Sequence, residues 1–191
     1  MNSAEPGTKD DRQAQVRRRD RAVDDDAWIR EMLHRTAFGA LATVIDGQPF
    51  INTNMFVYDE PNGAIYMHTA RNGRTRSNVE SDGRICFSIT EMGRLLPAPI
   101  AFNMSIEYCG VAVFGRASLI EEGADKERAL QMLVDKYFPH LQPGHDYGVI
   151  QPDEVDRTSV YRIEIEEWSG KRKVAEPDHP GAFFYGEHPR A

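Results

Sequence analysis

The stretch IYMHTARNGRTRSN, residues 65–78, joins a strand-like run to a histidine, hydroxyl side chains and three arginines. An alternating, strand-like run ends at His68 and Thr69, and Arg71, Arg74 and Arg76 follow at once, interleaved with Gly73, Thr75 and Ser77. If RTRSNVE is helical, Gly73 stands at its start and the N–H groups of the first turn have no intrahelical partner. Such a helix end, flanked by guanidinium and hydroxyl groups, is suited to holding a phosphate. The plainer alternative is that three arginines on a loop keep it solvated, as charge runs usually do.

Trp168 is the second residue that asks for a partner. It ends a strand whose other parity, Tyr161, Ile163 and Ile165, supplies a core face, so it is expected among Arg162, Glu164 and Glu166 and is followed by SGKRK. A second subunit, a planar ligand or local packing would each occupy the indole. His34, His68, His140, His145, His179 and His188 form no HxxxH or HExxH pair on a helix, and no metal site is expected. GxSxG, Walker and GxGxxG motifs are absent from the sequence. The carboxylates in turns (Asp59, Glu60, Asp82) and along one strand (Glu164, Glu166, Glu167) read as solvated faces.

The chain of 191 residues suits one domain with extensions, and its net charge of -7 excludes a general nucleic-acid or anionic-membrane binder. Cys86 and Cys109 lie singly in apolar runs and read as buried free thiols, which fits a cytoplasmic protein. No apolar run is long enough to cross a bilayer.

The elements that must position these residues are mostly strands. Residues 1–26 are polar and are expected as a mobile arm. From Asp26, a short amphipathic helix carries Trp28, Ile29, Met32 and Leu33. FGALATVI (38–45), FINTNMFVY (50–58) and AIYMHT (64–69) follow with turn-length links, then RICFSITEM (84–92), IEYCGVAVFGRASLI (106–120) and SVYRIEIEEW (159–168). Gly110 and Gly115 are expected to bulge or bend the fifth run. GADKERALQMLVDKYF is the clearest helix, with Ala129, Leu130, Leu133, Val134 and Tyr137 at its apolar period. HLQPGHDYGVIQPDEVD reads as an irregular loop, and the tail from residue 174 as a docked or disordered extension. The fold class expected is all-β with peripheral helices, a small closed antiparallel barrel, because closure removes exposed edges.

In order, GALATV, IYMHTARNGRTRSNV with RICFSI, RLLPAP before EYCGVAVFGRA, KERALQMLVDKYFP and IEIEEWSGKRK resemble the flavin-binding split-barrel superfamily typified by pyridoxamine 5'-phosphate oxidase, most closely its nitroimidazole-resistance and flavin reductase branch. The resemblance covers roughly residues 28–173, within a domain set at 27–173, and implies a homodimer of six-stranded antiparallel split β-barrels with FMN at the subunit interface. Asn52, Thr53, Asn54, Met55 and Phe56 would lie along the flavin ring, and Met67, His68 and Thr69 would line ring and ribityl chain. Arg74 would hold the phosphate with help from Arg71 or Arg76; Thr75 stands where the families usually carry a second basic residue. Trp168, Lys171 and Arg172 would reach the flavin from the partner subunit. Val174 and Glu176 stand where the oxidase places an arginine and a histidine on its substrate, so vitamin B6 oxidation is not expected. The implied activity is NAD(P)H-driven reduction of a small nitroaromatic or quinone acceptor, with His68 as candidate catalytic residue. The alternative is a flavin-, deazaflavin- or haem-binding carrier or sensor. A nucleic-acid-binding barrel lacks the interleaved basic and aromatic residues it would need.

Overall fold

The protein is described from a computed structural model over residues 14–121 and 123–187. β1 (Ala22–Val23) and α1 (Asp26–Arg35) lead into β2 (Phe38–Ile45), β3 (Gln48–Asp59) and β4 (Ala64–Ala70). There follow α2 (Arg74–Ser81), β5 (Arg84–Leu96), β6 (Ser105–Ile120), α3 (Ala124–Tyr137), α4 (Pro152–Asp156) and β7 (Thr158–Lys173). All strand pairs are antiparallel, in the order β1-β7-β4-β3-β2-β5-β6, and β6 pairs back to β7 to close the ring. The six long strands expected as a split barrel are therefore present, with β1 as a short addition.

Strand parity and helix position divide the apolar residues into two clusters. Leu41, Phe56, Ile65, Met67, Phe87, Ile89, Val113, Tyr161 and Ile163 fill the barrel, and Ile29, Met32 and Leu33 of α1 join them. Asp25 caps α1, its carboxylate accepting from the N–H groups of Ala27 and Trp28. On the outer side of β3, β4 and β7, Val57, Ala64, Tyr66 and Val160 pack beneath Ala129 and Leu133 of α3. Tyr137 pins the end of α3 to the sheet, its hydroxyl donating to the Ala37 carbonyl and accepting from the Phe56 N–H. Lys136 lies over the Phe56 ring at 3.8 Å and donates to the Thr36 carbonyl at 2.8 Å; burial pushes its ammonium down to about 8.

Several local expectations change. β7 continues through SGKRK to Lys173 instead of stopping at Trp168, and Gln151 and Glu154 form a capping box that turns PDEVD into α4. Asp59 is buried, not solvated: burial would raise its carboxyl, but hydrogen bonds from Asn62 and Arg128 outweigh that and hold it below the usual range. Cys86 and Cys109 are free but only half-buried. Of the expected mobile arm, residues 1–13 lie outside the described part. From Ala14 the chain lies on the barrel, with Val16 buried and Ala22–Val23 paired to Gly170 and Lys171. The tail from Val174 is docked as far as it is described: the Arg94–Glu107 pair holds the backbone of Ala175, Glu176 and Pro177, and Phe183 bridges to Leu95.

Gly115 permits the bend expected of it. Phe114 pairs with Glu167 and Gly115 with Ile165, so Glu166 is an extra residue in β7. A Cβ on Gly115 would stand 2.0 Å from the Glu164 carbonyl oxygen, which only backbone movement could relieve. Gly115→Ala should therefore lower stability by about 1–3 kcal/mol or more, read by urea unfolding. Gly148→Ala, where the added carbon meets nothing within 4 Å, should stay within about 0.5 kcal/mol of the parent.

Candidate functional site

The site begins where β3 and β4 part. Residues Phe56–Asp59 of β3 pair with Ala64–Met67 of β4, whereas Gln48–Met55 pair with β2 alone. Past Met67, β4 stays with β7 as far as Ala70 pairing with Thr158. A crevice is left along the free edge of β3, and two amide side chains span it. Asn54 donates to the His68 carbonyl at 2.6 Å, and Asn52 donates to the Thr75 hydroxyl at 3.2 Å. Thr69 exchanges a hydrogen bond with the buried Tyr161 hydroxyl at 2.9 Å.

The helix expected after Gly73 is α2, and it plugs the barrel behind this crevice. Asn78 is fully buried and donates to Thr43 at 2.8 Å. The first turn carries no acidic residue and no side-chain cap, so its N–H groups face outward unneutralised. The three arginines take different roles. Arg76 is consumed by Glu80 at 2.8 Å, Glu121 at 3.3 Å and the Ser159 hydroxyl. Arg71 donates to the Asp156 carbonyl at 2.9 Å, while its own backbone binds Arg157 and Ser159. Arg74 has no carboxylate partner among the described residues and lies over the Phe50 ring at 5.3 Å. Thr75 is buried beneath Asn52. The arrangement can hold one phosphate between the α2 N-terminus and Arg74.

His68 points to the other side of β4. With Met55 it lines a cavity of about 230 Å3 whose remaining walls include Leu130, Leu133, Tyr137, Ile150 and Glu154. Its Nδ1 is buried and has no hydrogen-bond partner. Burial holds the imidazole below its ordinary pKa, which keeps the ring neutral.

The profile of the pyridoxamine 5'-phosphate oxidase family matches residues 25–172, which takes in every strand of the ring. The chain belongs to this family. Among solved structures it is similar to the flavocytochrome Anf3 from Azotobacter vinelandii, at 25% identity over 89% of this chain and 77% of that one, with a TM-score of 0.74. The FAD and heme binding protein from Mycobacterium smegmatis follows at 20% identity, 83% and 76% coverage and a TM-score of 0.72. A protein proposed to confer 5-nitroimidazole antibiotic resistance, from Bacteroides thetaiotaomicron, has 17% identity, 79% and 86% coverage and a TM-score of 0.65. No curated protein matches the chain.

Against the expectations drawn from the pyridoxamine 5'-phosphate oxidase family, the residues sort into separate places. Asn52, Asn54, Thr69, Arg74 and Thr75 meet around the crevice, and Thr53 stands at its exposed edge, whereas the Arg71 guanidinium turns to the Asp156 carbonyl among Arg76, Glu121 and Lys126. Phe56 and Met67 do not line it, because they pair across the sheet and are buried in the barrel core. Trp168, Lys171 and Arg172 lie on the distant half of β7 within one chain. The extra residue at Glu166 reverses parity, so Trp168 opposes Val113 and packs on the core rather than sharing a charged face with Glu164. Its indole donates to Asp26 at 2.8 Å and Arg30 lies over the ring. Arg172 lies over Trp28, and Lys171 is exposed beside Thr90 and Tyr108 on the outer sheet face. The cavity behind His68 was missed by sequence reasoning, because its walls come from β3, β4, α3 and the loop before α4.

A neutral, half-buried imidazole makes stability depend on pH. The unfolded chain binds a proton at His68 near pH 6.5 and the folded chain only at lower pH, so stability falls as pH drops from about 7 through that interval. His68→Gln should flatten this part of the pH–stability curve while leaving the acid limb from the carboxylates in place, measured by urea unfolding between pH 7.5 and 5.

Proposed function

We propose that the protein is a flavin-dependent oxidoreductase that takes electrons from NAD(P)H and passes them to a small nitroaromatic or quinone acceptor. The observation that carries the reading is the conjunction, at one crevice, of an unpaired sheet edge, an uncapped helix N-terminus and an arginine without a carboxylate partner. Arg74 and the first-turn N–H groups of α2 would hold the phosphate of FMN. Asn52, Thr53, Asn54 and Thr69 would border the ring and ribityl chain. The flavin, when bound, supplies the hydride and electron chemistry, so the protein needs no nucleophile of its own. Val174 and Glu176 offer no cationic pair to a pyridoxine phosphate, which supports an activity other than vitamin B6 oxidation.

Charge on Arg74 is the sharpest handle. Losing one charged hydrogen-bond donor to phosphate should weaken FMN binding roughly 10- to 100-fold in Arg74→Ala. Arg76→Ala, whose guanidinium already serves two carboxylates, should leave affinity within about twofold. Fluorescence quenching of FMN on titration measures both, and equal losses would move the phosphate site away from Arg74.

We also infer a homodimer formed through the outer face of β2, β3, β5 and β6. Phe38, Val44, Ile51 and Met92 are exposed there among small residues such as Ala40, Ala42 and Ala112, and no helix among the described residues covers them. This face borders the free edge of β3 and carries Lys171, so docking a second copy would bring partner residues toward the crevice. Ile51 is 65% exposed, so Ile51→Arg should fold normally, elute as a monomer in light-scattering chromatography and lose FMN affinity with the dimer.

A second reading, a flavin- or haem-binding carrier without turnover, is favoured by the free His68 ring and by the flavocytochrome and the FAD and heme binding protein among similar structures. The absorbance spectrum of the purified protein separates flavin bands from a Soret band, and NAD(P)H consumption with added acceptors separates enzyme from carrier.

A further inference from the structure

The cavity between β4 and α3 opens on the side of the sheet away from the barrel interior, and the function proposed above needs only its neighbours. Its walls are almost wholly apolar: Met55, Leu130, Leu133, Val134, Phe138 and Ile150. The hydroxyls beside them are engaged, Tyr137 with Ala37 and Phe56, and Thr158 with the Glu154 carbonyl. The imidazole of His68 is not: its Nδ1 is buried and unpartnered. A buried polar atom without a partner is destabilising, and a ligand offering the complementary group would relieve that cost. A neutral imidazole presents one N–H and one lone pair, so the complementary group is a hydroxyl, carbonyl, ring nitrogen or metal centre.

Size and charge narrow the class. Dry cavities of about 150 Å3 already accept benzene, so about 230 Å3 has room for one or two fused rings. Glu154 contributes to the rim, but it is exposed and its carboxylate turns back to accept from the Gln151 N–H at 2.8 Å. An anionic ligand would lose its hydration against walls that offer no cationic partner among the described residues, and is disfavoured. Metal-ligating clusters are absent among the described residues, so a bare ion has too few ligands here. A metal could enter only inside a planar macrocycle that brings its own equatorial donors, and such a ring would have to displace the Ile150 loop.

We propose that this cavity is a binding site for a flat, uncharged aromatic group that engages the free ring nitrogen of His68. A free one- or two-ring molecule meets this description; a metalloporphyrin, with its two carboxylates and larger area, does not fit the cavity as it stands. The site deepens the oxidoreductase reading, since Met55 and His68 adjoin the crevice through Asn54, but binding itself does not depend on flavin.

The full-length protein is titrated by equilibrium dialysis with 2-naphthol and with 2-naphthalenesulfonate, its anionic counterpart, and by absorbance with hemin. One-to-one binding of 2-naphthol, about tenfold tighter than the sulfonate and weakened at least about tenfold by Ile150→Trp, is the expected result. Leu130→Phe, on α3, should narrow the same space and act in the same direction. A hemin Soret band that His68→Ala and Ile150→Trp both remove overturns the proposal, because a large dianionic ring would then be the occupant. Binding of neither probe, equal binding of naphthol and sulfonate, or 2-naphthol binding untouched by both cavity-filling variants overturns the proposal. FMN titration on the same samples reports the flavin site separately: naphthol binding with no FMN uptake sinks the flavin reading and spares this one.

Discussion

The parting of β3 from β4 is the constraint on which the rest of the structure depends. A continuous hairpin would satisfy the backbone groups of both strands, yet pairing stops at Phe56 and Met67 and β4 remains with β7. Two-thirds of β3, Gln48–Met55, is left with one neighbour, an arrangement that water, a ligand or a second chain must complete. Asn52 and Asn54 hold the gap open at fixed width by reaching across it to Thr75 and to the His68 carbonyl. Because α2 plugs the barrel behind them, its positive N-terminus is delivered to the same gap.

Electrostatics then separates residues that look equivalent in the sequence. Arg71, Arg74 and Arg76 are alike in charge and near neighbours, but helical geometry and the placement of acids send them apart. Arg76 turns toward Glu80 and Glu121, Arg71 fastens the segment after α4, and Arg74 alone of the three makes no hydrogen bond to the described protein and lies over Phe50. Burial has a parallel effect on His68, which is kept neutral by desolvation.

The long strands, the helix α3 and the helix that starts after Gly73 were legible because they rest on local regularities: alternation, the 3.6-residue period, and a glycine before a basic turn. The misreadings have equally local causes. Trp168 was placed on a charged face by counting parity through Glu166, and one bulge reverses every residue beyond it. Phe56 and Met67 were assigned to the ring site with their neighbours Met55 and His68, but alternation sends adjacent residues to opposite faces, and the inner pair is sealed in the core. Asp59 read as a solvated turn residue because its cationic partner, Arg128, lies on a helix far away in sequence.

The sequence by itself determined the family, the all-β class and the presence of a small basic site in an acidic chain, since these depend on residue type and near-neighbour spacing. Tertiary structure decided which arginine is available, which side of β4 His68 faces, and that a cavity stands behind it. Those outcomes require α3, α4 and β7 to be brought against β3 and β4, and long-range packing of that kind leaves no periodic mark along the chain.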